Sequence, residues 1–275
     1  MPEILQYAFM QRAIIAGIII GFLCPLIGIF IVLRRMSLIG DSLSHVALSG
    51  VVTGILLKTS PLIMTLIFSI TAALGIEKLR KSYEKYAELA ISIIMSAGMA
   101  IAVILISLVK SINIDLFGYL FGNITTVLPQ DLWIIIGLGI IVISSIFLIY
   151  KELFYMSFDE EAASLAGIPI KAINIYFVIL IAITITLSMR IVGILLISSL
   201  MILPVASSLQ IGKSFKEVTF LSIIFAQISV ILGIIVSYYF ELASGGTIVL
   251  ISVIILLSVF AFKSIRKLKN RHSYH

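Results

Sequence analysis

Charge is the first thing this sequence lacks. Only 12% of its 275 residues are Asp, Glu, Lys or Arg, whereas 61% are hydrophobic. A water-soluble domain cannot hide that much apolar surface and would aggregate, so the composition excludes a soluble enzyme or binding module and requires an integral membrane protein. Cysteine is also scarce. Cys24 is the single one and lies inside the first apolar run, which excludes an intrachain disulfide and removes cysteine chemistry from the candidate functions. There are three histidines, two of them, His272 and His275, in the basic tail "KSIRKLKNRHSYH", where they read as solvated ends. With no HExxH, no GxSxG and no paired carboxylates in the apolar runs, nothing forms a catalytic set. A phosphate-binding loop is missing too. The nearest match is "GKS" at 212–214, but Ser207 stands where the loop needs its upstream glycine, so this chain is not expected to hydrolyse ATP.

What is present is a succession of apolar runs, near 13–33, 38–57, 61–79, 89–109, 131–150, 170–188, 191–210, 217–239 and 247–263. Each approaches the roughly 20 residues that a helix needs to cross the hydrocarbon core. They predict eight or nine helices, because 38–57 opens on polar residues and 170–210 is broken only by Arg190. Pro61, Pro129 and Pro169 sit where runs begin, the helical position at which a missing N–H matters least. The first run is of spanning length and more follow, so it is expected to stay as a membrane helix rather than to be removed as a leader. If nine runs alternate with the C-terminus inside, fifteen of the nineteen Lys and Arg residues are cytoplasmic and Arg12, Lys58, Lys110 and Arg190 are outside. The net charge of +6 is then a topology signal, and nucleic acid is not an expected partner. The longest polar connection is 150–169, so residues 1–275 read as one multi-pass membrane domain.

Two residues interrupt this pattern. The stretch "RRMSLIGDSLSHVALSG", 34–50, places Asp41 and His45 inside an otherwise uncharged run. A helix starting at Arg35 puts His45 about 15 Å deep at the usual rise per residue, near the middle of the hydrocarbon core. Asp41 lies four residues earlier on the same helical face, where a carboxylate and an imidazole can touch one divalent cation. Ionisable groups at such depth face a pathway more readily than lipid. A second reading makes Asp41 the helix N-cap after Gly40 and His45 a neutral histidine bonded to a backbone carbonyl.

Other candidates are spread along the chain. The segment "SFDEEAASLAGIPIK", 157–171, reads as a short helix with Asp159, Glu160 and Glu161 at its positive end and Gly167 at its C′ position. It is either an ordinary capped loop helix or a docking helix whose small residues Ala162, Ala163, Ser164 and Ala166 fit a partner's groove. Met36 and Met201 are either core filler or soft contacts for a passing metal. Gly193 and Pro204, with Ser198 and Ser199 between them, suggest a helix that unwinds or kinks beside a pathway, a scaffold for a gate. Asn123, Asp115 and Asp131, in the loop 111–132, read either as solvated groups or as a reception site for cations or a delivery protein.

The segments "YAFMQRAIIAG", "LRRMSLIGDSLSHVALSG", "YLFGNI", "SFDEEAASLAGI", "VGILLISSLMILPVASS" and "SGGTIVL" resemble, in order and over nearly the whole chain, the permease subunit of zinc/manganese/iron(II) ABC importers. The resemblance implies an all-α integral membrane fold of the vitamin B12/metal-importer type and a dimer of permease subunits, expected as a homodimer. It also implies a cytoplasmic ABC ATPase, an extracytoplasmic metal-binding protein and a divalent metal ion as cargo, with no permanently bound cofactor. Residues 158–168 are similar to the family's coupling helix, which contacts the ATPase. Residues alone leave two other classes open: an ion-gradient-driven secondary carrier with Asp41 and His45 as proton sites, and a membrane enzyme or scaffold.

Overall fold

Inside a bilayer the backbone amides must pair within the chain, so long apolar runs become helices. The computed structural model describes residues 6–83, 86–108 and 116–272, and among them there are helices and turns but no strand. The helices are α1 (Ala8–Leu33), α2 (Leu38–Leu56), α3 (Pro61–Ser82), α4 (Ala87–Leu108), α5 (Leu116–Phe121), α6 (Pro129–Leu148), α7 (Tyr150–Phe158), α8 (Glu160–Leu165), α9 (Ile170–Ser188), α10 (Ile197–Leu209), α11 (Phe215–Phe240) and α12 (Ser244–His272). Eight of those described, α1–α4, α6, α9, α11 and α12, are long and apolar enough to cross a membrane. The prolines start helices as expected: Pro61 and Pro129 open α3 and α6, and Pro169 occupies the N-cap of α9. Lys85, Lys110, Asp115 and His275 lie outside the described residues.

Side-chain contacts sort the helix ends into two faces. The end of α1 meets α8 and the start of α9, because Arg34 Nη2 donates to Asn174 Oδ1 at 2.6 Å and Asn174 Nδ2 donates to Glu160 Oε1 at 3.1 Å. Lys263 of α12 donates to Gln210 just past α10 at 3.1 Å. At the opposite end, the ring of Tyr7 lies tilted against that of Tyr238 of α11, and Ser244 Oγ donates to the Ile191 carbonyl. These contacts give an up-and-down path, with α8 marking one face of the bundle and α5 the other.

One apolar run is interrupted, at the glycine where an unwinding was expected. Residues 191–210 do not form a full spanning helix: a turn and a 3₁₀ segment, Ile194–Leu196, precede α10, which has 13 residues. The physical reason is Gly193, whose φ of +80° departs from helix and whose Cα packs on the backbone of Phe121 and Gly122. α9 also stops within the bundle, since its last residue, Ser188, lies 3.5 Å from Cys24, about 14 Å along α1 from Leu33 at the helical rise. The helix break falls before α10, which continues through Pro204.

α2 is the most enclosed polar helix. Its small residues let neighbouring backbones approach, the usual device of membrane helix packing. A Cβ on Gly50 would stand 2.6 Å from Thr65 Cα of α3, and one on Gly98 of α4 would stand 3.0 Å from Val46 Cα. Ser42 and Ser49 donate to the carbonyls of Ile91 and Gly98 at 3.0 and 2.6 Å, so their hydroxyls are satisfied on α4.

Candidate functional site

The elbow between α1 and α2 sets where the site begins. Arg35 has a left-handed φ of +54°, Arg35 N donates to Val32 O and Met36 N donates to Ile31 O, which closes α1 in a Schellman turn. That turn consumes residues 35–37, so α2 starts at Leu38 and His45 lies about 10 Å along it, less deep than a helix starting at Arg35 would place it. Ser37 holds the N-cap position and makes no side-chain cap bond. Asp41 is therefore not the N-cap. It sits in the first turn of α2, where the helix dipole favours a carboxylate, and its Oδ1 accepts a hydrogen bond from Ser198 Oγ in the first turn of α10.

Gly40 makes that contact possible, because a Cβ there would lie 3.3 Å from Ser198 Cβ. His45 follows one turn after Asp41 and is half-buried, and its Nδ1 is buried with no hydrogen-bond partner. The expected carbonyl bond at that nitrogen is thus absent. A buried imidazole nitrogen without a partner is a group with a lone pair or a proton to offer, and Asp41 keeps its second oxygen. No group of three His, Cys, Asp or Glu able to hold a metal occurs among the described residues, and Asp41 and His45 stand one helical turn apart.

Met36 and Met201 are 5% and 1% exposed, buried in the core. Met201 packs its backbone against Gly28 of α1, and Pro204 is likewise buried in α10. The Gly193 turn is held from both sides. Gly122 on one side and Gly245 on the other have no room for a Cβ against the carbonyls of Ile191 and Val192. Arg190, in the same turn, lies 3.1 Å from Asp131 Oδ2 as an ion pair without an aligned hydrogen bond from Nε, and its guanidinium stands 4.7 Å over the Tyr119 ring. Asp131 is 6% exposed and also accepts from Leu128 N, so it is not the solvated acid that was one of its two expected readings. Asn123 caps the short turn after α5 by accepting from Thr125 N at 3.0 Å.

At the other face, α8 is built as its residues predict. Asp159 is the N-cap and accepts from Ala162 N at 2.9 Å, while Gly167, at φ +87°, donates to Ser164 O and is followed by Ile168 N donating to Ala163 O. Ala163 is 3% exposed and faces the body of the chain, so a partner seated on α8 would not meet it, contrary to its expected place among the docking residues. Leu165 is 90% exposed instead, a residue that the small-residue pattern passed over. Of the acids, Glu160 turns back to Asn174 and lies 3.8 Å from Arg34, whose side chain is 3% exposed. Burial pulls the Arg34 guanidinium below its ordinary value, and Glu160 opposes that pull. Sequence patterns missed the pairing of Arg34 with Asn174 and that of Ser198, read only as part of a helix break, with Asp41, since each joins residues more than 100 positions apart.

The match to known proteins is extensive. Residues 6–263 fit the model of the ABC 3 transport family. The chain is 36% identical over 259 residues to the manganese transport system membrane protein MntC of Listeria monocytogenes, covering 94% of this chain and 92% of that one. It is 33% identical over 257 residues to the high-affinity zinc uptake system membrane protein ZnuB of Haemophilus influenzae, covering 93% and 98% of the two chains. Among solved structures, PsaBC from Streptococcus pneumoniae in complex with Fab matches with a TM-score of 0.82 and 34% identity, over 93% of this chain and 92% of that one. A chain of apolar spanning helices, with a carboxylate and a free imidazole one turn apart on its most enclosed polar helix, thus belongs to the ABC 3 transport family.

Proposed function

We propose that this chain is the membrane-spanning permease subunit of an ATP-binding-cassette importer for a divalent transition metal ion, zinc, manganese or iron(II). The carrying observation is the Asp41 and His45 pair on α2, with the histidine's Nδ1 buried and unbonded. The names of the relatives, which include manganese and zinc systems, support the metal class but not one metal. Asp and His serve all three ions, so the ligand types do not choose among them either. The metal is cargo rather than a resident cofactor.

In this reading a second permease subunit completes the site. Zinc prefers about four ligands, and a two-fold homodimer would supply two aspartates and two histidines around its axis. An extracytoplasmic metal-binding protein delivers the ion at the α5 face, and ABC ATPase subunits dock at the α8 face through Glu161, Leu165 and the backbone around Gly167. The N-terminus is outside and the C-terminus cytoplasmic, as the Lys and Arg distribution favours. Transport requires binding weak enough for release, which suits few ligands per subunit and no thiolate.

The test is uptake of each isotopically labelled metal by proteoliposomes carrying the permease, its ATPase and its binding protein. ATP-dependent accumulation of one of the three ions is expected. Uptake that ignores ATP and follows an imposed proton gradient would overturn the reading in favour of a secondary carrier.

A further inference from the structure

Arg34 is an unusual residue for its place. It ends α1, next to the lysine- and arginine-rich face of the bundle, yet its side chain is 3% exposed while that of its acidic partner Glu160 is 47% exposed. The acid nearest the guanidinium therefore lies at the surface while the guanidinium itself is inside. It is reached from outside by an acid on α8, directly at 3.8 Å and through the Asn174 amide, which accepts from Arg34 at 2.6 Å and donates to Glu160 at 3.1 Å. Glu77 and Arg80 of α3, paired with each other at 2.7 Å, act on the same guanidinium electrostatically, so two positive and two negative groups gather where α1, α3, α8 and α9 meet. One arm of the fork, Nη1, is buried with no hydrogen-bond partner.

Chain connectivity gives this cluster a consequence. Arg34 is followed by the left-handed Arg35, by Met36 and Ser37, and then by α2, so only six residues lie between it and Asp41. α8 itself is short, exposed on most of its surface and tied to α9 by few groups, of which Asn174 is one. A displacement of α8 must either break the bonds to Arg34 or carry the α1–α2 elbow with it, and the elbow is the base of the helix that bears Asp41 and His45. We infer that Arg34, clamped to Glu160 through Asn174, is the positioning residue that passes movement of α8 to α2. The inference rests on the proposed docking of the ATPase at α8, and it adds the route by which that docking reaches the cation ligands. Chains of packed or hydrogen-bonded groups can carry coupling of this kind, and α8, Glu160, Asn174, Arg34, elbow and α2 form one.

The experiment uses the complete transporter in proteoliposomes and reads ATP hydrolysed per ion taken up. Asn174→Leu keeps side-chain bulk and removes both amide bonds. It is expected to co-purify with the ATPase at wild-type yield and to raise the ratio about tenfold, because hydrolysis persists while uptake falls. Arg34→Lys keeps the buried charge, loses the planar fork and should raise the ratio in the same direction, about threefold, which carries the test if Asn174→Leu does not accumulate. Ratios within twofold of wild type in the variants that fold, or uptake and hydrolysis falling in parallel, would overturn the proposal. Leu165→Asp separates the two readings, since Leu165 is 90% exposed on the docking face and its change leaves the helix backbone unstrained. Undiminished ATPase recovery with Leu165→Asp would sink the docking reading. Lost recovery there, beside an unchanged ratio in Asn174→Leu, would sink the role of Arg34 alone.

Discussion

α2 and α12 are both of spanning length, yet 72% of the spanning window is buried in α2 and 11% in α12. The greasier of the two is the peripheral one: Leu250, Leu257 and Phe262 of α12 are each at least 60% exposed, as suits a helix turned toward lipid. α2 has serines, glycines, Asp41 and His45, and it packs between α3 and α4 while touching α10 through Ser198. In water, apolar helices hide and polar ones face solvent. Here the polar helix is inside, because lipid leaves its hydroxyls and carboxylate no partner except the protein.

The contrast breaks most sharply at the two proposed ligands. Asp41→Ala and His45→Ala should each lower metal uptake about a hundredfold or more, beyond the range for groups that only orient a ligand. Uptake of the labelled ion is the measurement, with ATPase co-purification as the control for folding. A smaller but clear effect should follow from crowding. Gly50→Val would press on Thr65 Cα in α3, a backbone atom that cannot move aside, and should destabilise by about 1–3 kcal/mol. Gly246→Ala in α12 meets nothing within 4 Å and should leave the Tm of the purified permease unchanged or slightly raised.

Next comes Ser198→Ala, which removes the hydroxyl that holds Asp41 and should reduce uptake about tenfold, with Ser198→Thr restoring most of it. Equal uptake by wild type and Ser198→Ala would show that the bond does not serve transport. The smallest effect belongs to the lipid-facing helix. Leu257→Ala, at a residue 61% exposed, should shift stability by no more than about 0.5 kcal/mol and leave uptake as it was, by thermal unfolding and the same transport assay.

Sequence reasoning read the helices well, because a spanning run is a strong signal and Pro61 and Pro129 mark its starts. It also found Asp41 and His45, since ionisable residues stand out against an apolar background. It read the caps of α8 from Asp159 and Gly167, whose chemistry is local. It placed a break at Gly193 within 191–210, which the structure has, but not the contact with the distant Phe121–Gly122 backbone that holds it, and it left Asp131 open between a solvated acid and a reception site because nothing near it in sequence announces Arg190. Ala163 went the same way: a short helix has two faces, and composition does not say which one its partner covers. Arg34 looked like a topology marker and proved to be buried against Asn174 and Glu160.

The most direct measurement is metal uptake by Asp41→Asn in the reconstituted transporter. Asparagine keeps the shape and an acceptor for the Ser198 hydroxyl while removing the charge, so it separates holding α10 in place from binding a cation. If Asp41 is a ligand of the passing ion, uptake falls at least about tenfold, with the protein folded and the ATPase still bound. Wild-type uptake by Asp41→Asn would contradict the account and leave the aspartate as a tether for Ser198 with no role toward the metal.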